Sequence, residues 1–192
     1  GKSLIYQIPA IILDGGAIII SPLVSLMDEQ ANSINNIFIK NNLNLRAEVL
    51  NGEREKQEDI LNRFKQGKVP LLYMAPEKFI DTKFLDRIES LPISFLAFDE
   101  SHCLSDWGNS FREKYLYAGA YAKLFQDIPK IALTATATSD MVKDIQERIG
   151  IYPVEPVRSS FNRTNLFYEI RHMPETFKDL DLMNEAKNII FQ

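Results

Sequence analysis

Two adjacent carboxylates, Asp99 and Glu100, with His102 close behind, stand where the apolar run Phe95-Leu96-Ala97-Phe98 ends. Such a run reads as a buried strand, and the C-terminal end of a buried strand is where open α/β sheets place ligands. Side chains on a continuing strand alternate faces and on a broken one diverge, so one carboxylate can face a metal while its neighbour faces a water. His102 is placed to take a signal from that pair and pass it on. Complementary chemistry comes from Gly1-Lys2-Ser3, which opens the short helical stretch Leu4 to Ala10. Free amides at a helix start attract a polyphosphate, a lysine there can bridge the β and γ phosphates, and a serine hydroxyl can ligate Mg²⁺. These three residues are the last third of the pattern G-x-x-x-x-G-K-[ST], so residues preceding Gly1 are expected. Either half recurs by chance. Together, on one alternating α/β chain, they make the two halves of a nucleoside triphosphate site. Gly1, Lys2 and Ser3 would hold the phosphates, Ser3 and Asp99 the Mg²⁺, and Glu100 would orient and deprotonate the attacking water.

The elements between these halves follow from periodicity. Ala17 to Ile20 is a continuous apolar strand, and Ser21-Pro22 reads as the cap and first position of a helix with Leu23, Leu26, Met27, Ile34, Ile37 and Phe38 on its apolar side. Arg46 to Leu50 reads as a strand, and Glu53 to Gln66 as a charged helix stopped by Gly67. Val69 to Met74 is another strand, and Ala75 to Phe79 starts a helix with proline and acid in its first turn. After the carboxylate strand, Glu113 to Phe125 reads as a helix and Ile131 to Leu133 as a strand. Ser139 to Ile149 reads as a helix capped by Ser139 and stopped by Gly150. Nearly all-apolar strands alternating with helices mean a parallel sheet covered on both faces. Prolines interrupt the pattern between Tyr152 and Pro156, and strand, helix and strand patterns resume at Leu166, Thr176 and Asn188.

The chain has 192 residues, 45% of them apolar and 25% charged, enough for one α/β domain and the start of another. It contains no apolar run of the roughly 18 residues that a membrane span needs. A single cysteine, Cys103, excludes an internal disulfide and a cysteine-rich metal site, and it reads as a small buried residue. No secretory leader pattern opens the sequence, so an intracellular location is the expectation. A net charge of −4 disfavours a dedicated basic nucleic-acid domain, but not contacts made by backbone amides and helix ends.

Several stretches resemble a known family. Asp99-Glu100-Ser101-His102 is similar to the DExH box of superfamily 2 helicases. The longer string to Tyr115, with Cys103, Ser105, Trp107-Gly108, Phe111-Arg112 and Tyr115, resembles the RecQ DNA helicases. Ser21 to Gln30 is similar to that family's motif Ia, and Tyr73-Met74-Ala75-Pro76-Glu77-Lys78-Phe79 to its Tyr-x-Ala-Pro-Glu-Arg segment. Ala132 to Ala137 matches motif III, and Ser160 to Asn165 resembles the junction to the second motor domain.

The resemblance implies a RecA-like first motor domain over residues 1–157, a linker over 158–165 and the start of a second RecA-like domain over 166–192. It implies an ATP- and Mg²⁺-dependent, DNA-stimulated enzyme that moves 3′ to 5′ on single-stranded DNA and unwinds tailed duplexes in repair and recombination. The setting would be the nucleus in a eukaryote, or the cytoplasm and nucleoid in a bacterium. Ser105 to Tyr115 would sense single-stranded DNA, with Trp107 and Phe111 stacking on bases and Arg112 adding charge. Ser21, Pro22, Leu23 and Ser25 would lie along the DNA backbone, and Thr134 and Thr136 would link the ATP site to the DNA face. Ser101, Asp106, Asn109 and Glu113 depart from the family's usual alanine, glutamine, histidine and proline. The second motor domain and its arginine finger, a partner worth about 10³ to 10⁵ in rate, are not in this sequence, so the chain alone is expected to hydrolyse ATP barely or not at all. Two other readings stay open here: a noncatalytic binding module that keeps the fold, and a superfamily 2 RNA helicase.

Overall fold

The computed structural model describes residues 2–52, 54–105 and 112–158, with the Arg112 side chain excluded. By backbone contacts the chain divides into two units, Gly1–Pro156 and Val157–Gln192; the second lies almost wholly outside the described residues, as do Trp107 and Phe111.

In chain order the first unit runs α1 (Leu4–Ile12), β1 (Gly16–Ile20), α2 (Val24–Lys40), β2 (Glu48–Val49), α3 (Arg54–Lys65) and β3 (Leu71–Met74). A 3₁₀ turn (Pro76–Ile80), α4 (Thr82–Glu89), β4 (Ile93–Phe98), a second 3₁₀ turn (Ser101–Leu104), α5 (Arg112–Ala122), β5 (Lys130–Ala132) and α6 (Ser139–Ile149) follow. The five strands form one sheet in the order β2-β3-β1-β4-β5, and every neighbouring pair is parallel.

Period-2 alternation splits the apolar strands between two cores. Ile18, Ile20, Leu72, Met74, Leu96 and Phe98 pack with α3 to α6, whereas Ala17, Ile19, Leu71, Tyr73, Phe95 and Ala97 pack with α1 and α2. Both faces of β1 are therefore dry, which is why its sequence is apolar without a break. Each fully buried isoleucine there contributes about 1.5 to 3 kcal/mol.

The helices leaving the adjacent strands β1 and β4 turn to opposite faces, α2 to one core and α5 to the other. The ends of those strands are the switch point, the place at which such sheets form a crevice for ligands.

Most boundaries shift by a residue or more: β2 covers only Glu48–Val49 of the stretch read from Arg46 to Leu50, and α5 ends at Ala122 rather than Phe125. Helix α2 starts at Val24 with extended Leu23 as its cap, because Ser21 stays in line with β1: its N–H donates to Met74 O at 3.2 Å. The stretch after Pro76 is a 3₁₀ turn, and a separate α4 begins after Asp81, whose Oδ1 accepts from the Lys83 and Phe84 amides. Thr138, rather than Ser139, caps α6 by accepting the Met141 N–H at 3.3 Å. Gly150 ends α6 at φ 74°, a left-handed position suited to glycine.

Candidate nucleotide-hydrolysis site

The sheet brings the two halves of the predicted site together. Lys2, ahead of α1, places Nζ 3.1 Å from Glu100 Oε1 across the β1–β4 crevice. Ser3 is the last residue before α1; its carbonyl accepts the Gln7 N–H at 2.9 Å, and its hydroxyl makes no capping bond.

β4 delivers the carboxylates and then breaks. The Asp99 N–H still donates to Ile20 O at 2.9 Å, as a strand residue would, but Glu100 takes the left-handed conformation at φ 49° and ψ 44°. A non-glycine residue held there stores about 1 to 3 kcal/mol, and such strain collects at functional sites. The break makes the two carboxylates diverge. Asp99 is buried at 4% exposure, while Glu100 turns outward to Lys2 and His102.

Asp99 is held on three sides. Its Oδ1 accepts the Glu100 N–H at 3.0 Å, its Oδ2 accepts from Gln30 Nε2 at 3.3 Å, and its carbonyl accepts from the Tyr115 hydroxyl at 2.5 Å. Gln30 is oriented in turn by the Tyr6 hydroxyl, which donates to Gln30 Oε1. Burial, then the neighbouring Tyr73 and Asp99, push the Tyr6 phenol far up, so it remains a donor. Every donor on the Asp99 carboxylate among the described residues is thus a neutral amide. An ionised carboxylate so buried is costly unless a cation balances it. Among the described residues no three His, Cys, Asp or Glu side chains gather to cage a metal. Asp99 and the Ser3 hydroxyl are of the donor type that suits Mg²⁺ completed by phosphate oxygens and water.

Glu100 begins a relay towards β5. Its Oε2 lies 3.3 Å from His102 Nδ1, which lies 3.2 Å from Thr134 Oγ1. The Thr134 hydroxyl donates to Thr136 O at 3.1 Å, so it accepts from His102, and this assigns the ring proton to Nδ1. The line runs unbroken from the carboxylate to exposed Thr136.

The residues expected along a nucleic-acid strand are distributed unevenly. Leu23 and Ser25 are exposed at the start of α2 and Pro22 is half-buried, but Ser21 is 2% exposed and its hydroxyl is buried without a partner. Ser105 is also fully buried with an unpartnered hydroxyl. Trp107 and Phe111 lie outside the described residues, and Arg112 is placed only as the first residue of α5. Cys103 is half-buried against the core; burial and then Glu100 push its thiol up.

Sequence reasoning gave Tyr6 no role, and it named Gln30 only as the end of a motif-like string and Tyr115 only as the end of the stretch expected to sense DNA. The signal for Gln30 was a polar side chain one turn from Met27 and beside Ala31 on the buried face of α2. Nothing in the sequence distinguishes Tyr6 from an ordinary core aromatic, and Tyr115 carried only its place at the end of the family-like string.

The model of the DEAD/DEAH box helicase family matches residues 1–145. The chain belongs to that family. It is 37% identical to the putative ATP-dependent DNA helicase Q1 of Caenorhabditis elegans, over 91% of this chain and 28% of that protein. Its identity to the ATP-dependent DNA helicase RecQ of Haemophilus influenzae is 36%, over 94% of this chain and 28% of that protein. The probable ATP-dependent DNA helicase RecS of Bacillus subtilis is 34% identical, over 94% of this chain and 36% of the relative. The chain thus spans about a third or less of the length of these relatives. Among solved structures, the helicase domain of Pyrococcus furiosus Hef superposes with a TM-score of 0.57 at 23% identity, over 81% of this chain and 32% of that one. The DEAD-box helicase Mss116 superposes at 0.59 with 16% identity, over 78% of this chain and 32% of that one. At such identities the likeness is one of fold, and the fold is the RecA-like parallel sheet.

Proposed function

We propose that this DEAD/DEAH box helicase domain is the first motor half of a RecQ-type ATP-dependent DNA helicase. The observation that supports the reading is the convergence of Lys2, Asp99, Glu100, His102 and Thr134 at the β1–β4 switch point, linked side chain to side chain from Lys2 through Glu100 and His102 to Thr134. The relatives named RecQ, RecS and Q1 supply the DNA and the helicase class.

The triphosphate approaches the N-terminal amides of α1. Lys2 exchanges Glu100 for the β and γ phosphates, which is inexpensive: the side chains are 38% and 28% exposed, and an ion pair so placed is worth at most about 1 kcal/mol. Mg²⁺, bound through Ser3 and Asp99, would neutralise charge on the phosphate oxygens. Freed of Lys2, Glu100 accepts a proton from water as the water oxygen bonds to the γ phosphorus and the bond to the ADP oxygen breaks. Tyr6 and Gln30 keep Asp99 facing the site.

His102 and Thr134 report the state of Glu100 to Thr136 and the loop after β5. Leu23, Ser25 and Thr136 would face the single-stranded DNA, with Ser105, Trp107, Phe111 and Arg112 supplying the sensor. The second motor domain would add the arginine finger, and the whole protein would move 3′ to 5′ and open tailed duplexes.

The test is ATP turnover by the full-length protein with no nucleic acid, with single-stranded DNA and with single-stranded RNA. Turnover rising towards a typical rate of about 1 to 100 per second with DNA alone is the expected result. Equal stimulation by RNA would reassign the substrate, and nucleotide binding without turnover would make the domain a noncatalytic module.

A further inference from the structure

Tyr115 occupies a position that the hydrolysis scheme above does not use. It sits in the first turn of α5, fully buried, with its ring tilted against Phe98 at 6.4 Å between centroids. Its hydroxyl lies 2.9 Å from Ile20 O and 2.5 Å from Asp99 O. Those carbonyls end the two strands that flank the crevice, β1 and β4. A phenol has one proton, so it is shared between two acceptors, with the shorter contact on Asp99.

The peptide that Tyr115 grips joins Asp99 to Glu100. Glu100 is the residue in the left-handed conformation, so the orientation of this peptide decides whether its carboxylate reaches Lys2 and His102. The preceding residue of α5 is tied as well: Lys114 Nζ donates to Glu77 Oε1 at 3.0 Å, on the 3₁₀ turn after β3. The Tyr115 hydroxyl thus ties the first turn of α5 to the Asp99 carbonyl.

We propose that Tyr115 is a positioning residue for hydrolysis, its hydroxyl fixing the Asp99–Glu100 peptide and carrying the placement of the α5 first turn to Glu100. This rests on the reading of Glu100 as the base, and extends it to how that base is held. A residue that only fills the core would not need the hydroxyl, and Tyr115→Phe keeps the ring.

The full-length protein and its Tyr115→Phe variant are compared for ATP turnover with and without saturating single-stranded DNA. KM for ATP, affinity for the DNA and thermal midpoint are measured alongside. We expect kcat with DNA to fall about tenfold while KM for ATP and DNA affinity stay within about twofold. A kcat within twofold of the parent overturns the proposal. So does a fall in kcat accompanied by a severalfold rise in KM and a collapsed thermal midpoint, which would assign the hydroxyl to packing alone. If the parent itself shows no response to DNA, the RecQ-type reading fails, and the Tyr115 proposal is judged by the same kcat and KM criteria on the DNA-independent rate.

Discussion

Replacing Glu100 by glutamine separates catalysis from structure more cleanly than any other single change in this site. The substitution is isosteric, and the amide oxygen can still accept from Lys2, which lies 3.1 Å from Oε1. What is lost in the ground state is the charge of a pair whose side chains are 38% and 28% exposed, worth about 0 to 1 kcal/mol after solvent screening. For a chain of this size that corresponds to a thermal shift of at most about 2 to 4 °C. The left-handed backbone at residue 100 is equally strained in both forms, so it drops out of the comparison. Proton acceptance is different, because a glutamine amide cannot act as a base near neutral pH and general-base catalysis contributes about 10² to 10⁴ in rate. Glu100→Gln should therefore leave folding and nucleotide binding nearly intact and remove at least 99 parts in about 100 of the turnover. Phosphate release at saturating ATP, Mg²⁺ and single-stranded DNA measures the rate, and binding of a fluorescent nucleotide measures the occupied site. Residual turnover above about one tenth of the parent, well short of the loss a missing base produces, would refute the assignment of Glu100 as the base. Loss of nucleotide binding with a large fall in thermal midpoint would give Glu100 a structural role instead.

Gln30→Ala takes the amide from Asp99 Oδ2, and removing such an outer partner of a metal-binding carboxylate weakens metal affinity about 10-fold or more; an unchanged Mg²⁺ dependence of turnover would contradict that. Gly16→Ala would put a methyl 2.4 Å from the buried Phe64 ring and 3.0 Å from Val69 O, so a loss of about 1 to 3 kcal/mol or more is expected in urea denaturation, and an unshifted midpoint would show that the core yields there. Cys103, its thiol pushed up by burial and by Glu100, should react with a disulfide reagent at pH 8 far more slowly in the folded protein than in urea. Because its folded value is the raised one, the stability it contributes is present below the unfolded thiol value of about 8.5 and is lost as pH rises through the folded value. Equal rates in the two states would remove both statements.

The central strands β1, β3 and β4 were legible along the chain because they are buried on both faces, and double burial leaves a continuous apolar signature. Gly1-Lys2-Ser3 and Asp99-Glu100 were legible for a related reason: phosphate and metal chemistry demand particular groups at a helix start and a strand end, and local sequence records them. Local sequence could not show where β4 breaks. Glu100 adopts its left-handed turn because the Asp99 and Ser101 amides are claimed by Ile20 O at the end of β1 and Leu133 O just past β5, at 2.9 and 2.8 Å. The start of α2 moved to Val24 for a similar reason, since pairing of Ser21 with the neighbouring strand shifts the boundary, whereas the cap of α6 falls one residue earlier because the Thr138 side chain accepts the Met141 N–H.

The sequence alone determined the sheet class, the order of its elements and the identity of the phosphate and carboxylate groups. Only the tertiary structure placed Lys2 on Glu100, Gln30 on Asp99 and Tyr115 across two strand ends. Those contacts join residues far apart in the chain, and it is the strand order β3-β1-β4 that carries them to one crevice. Periodicity reports which face of an element is buried; it holds no record of which distant side chain meets that face.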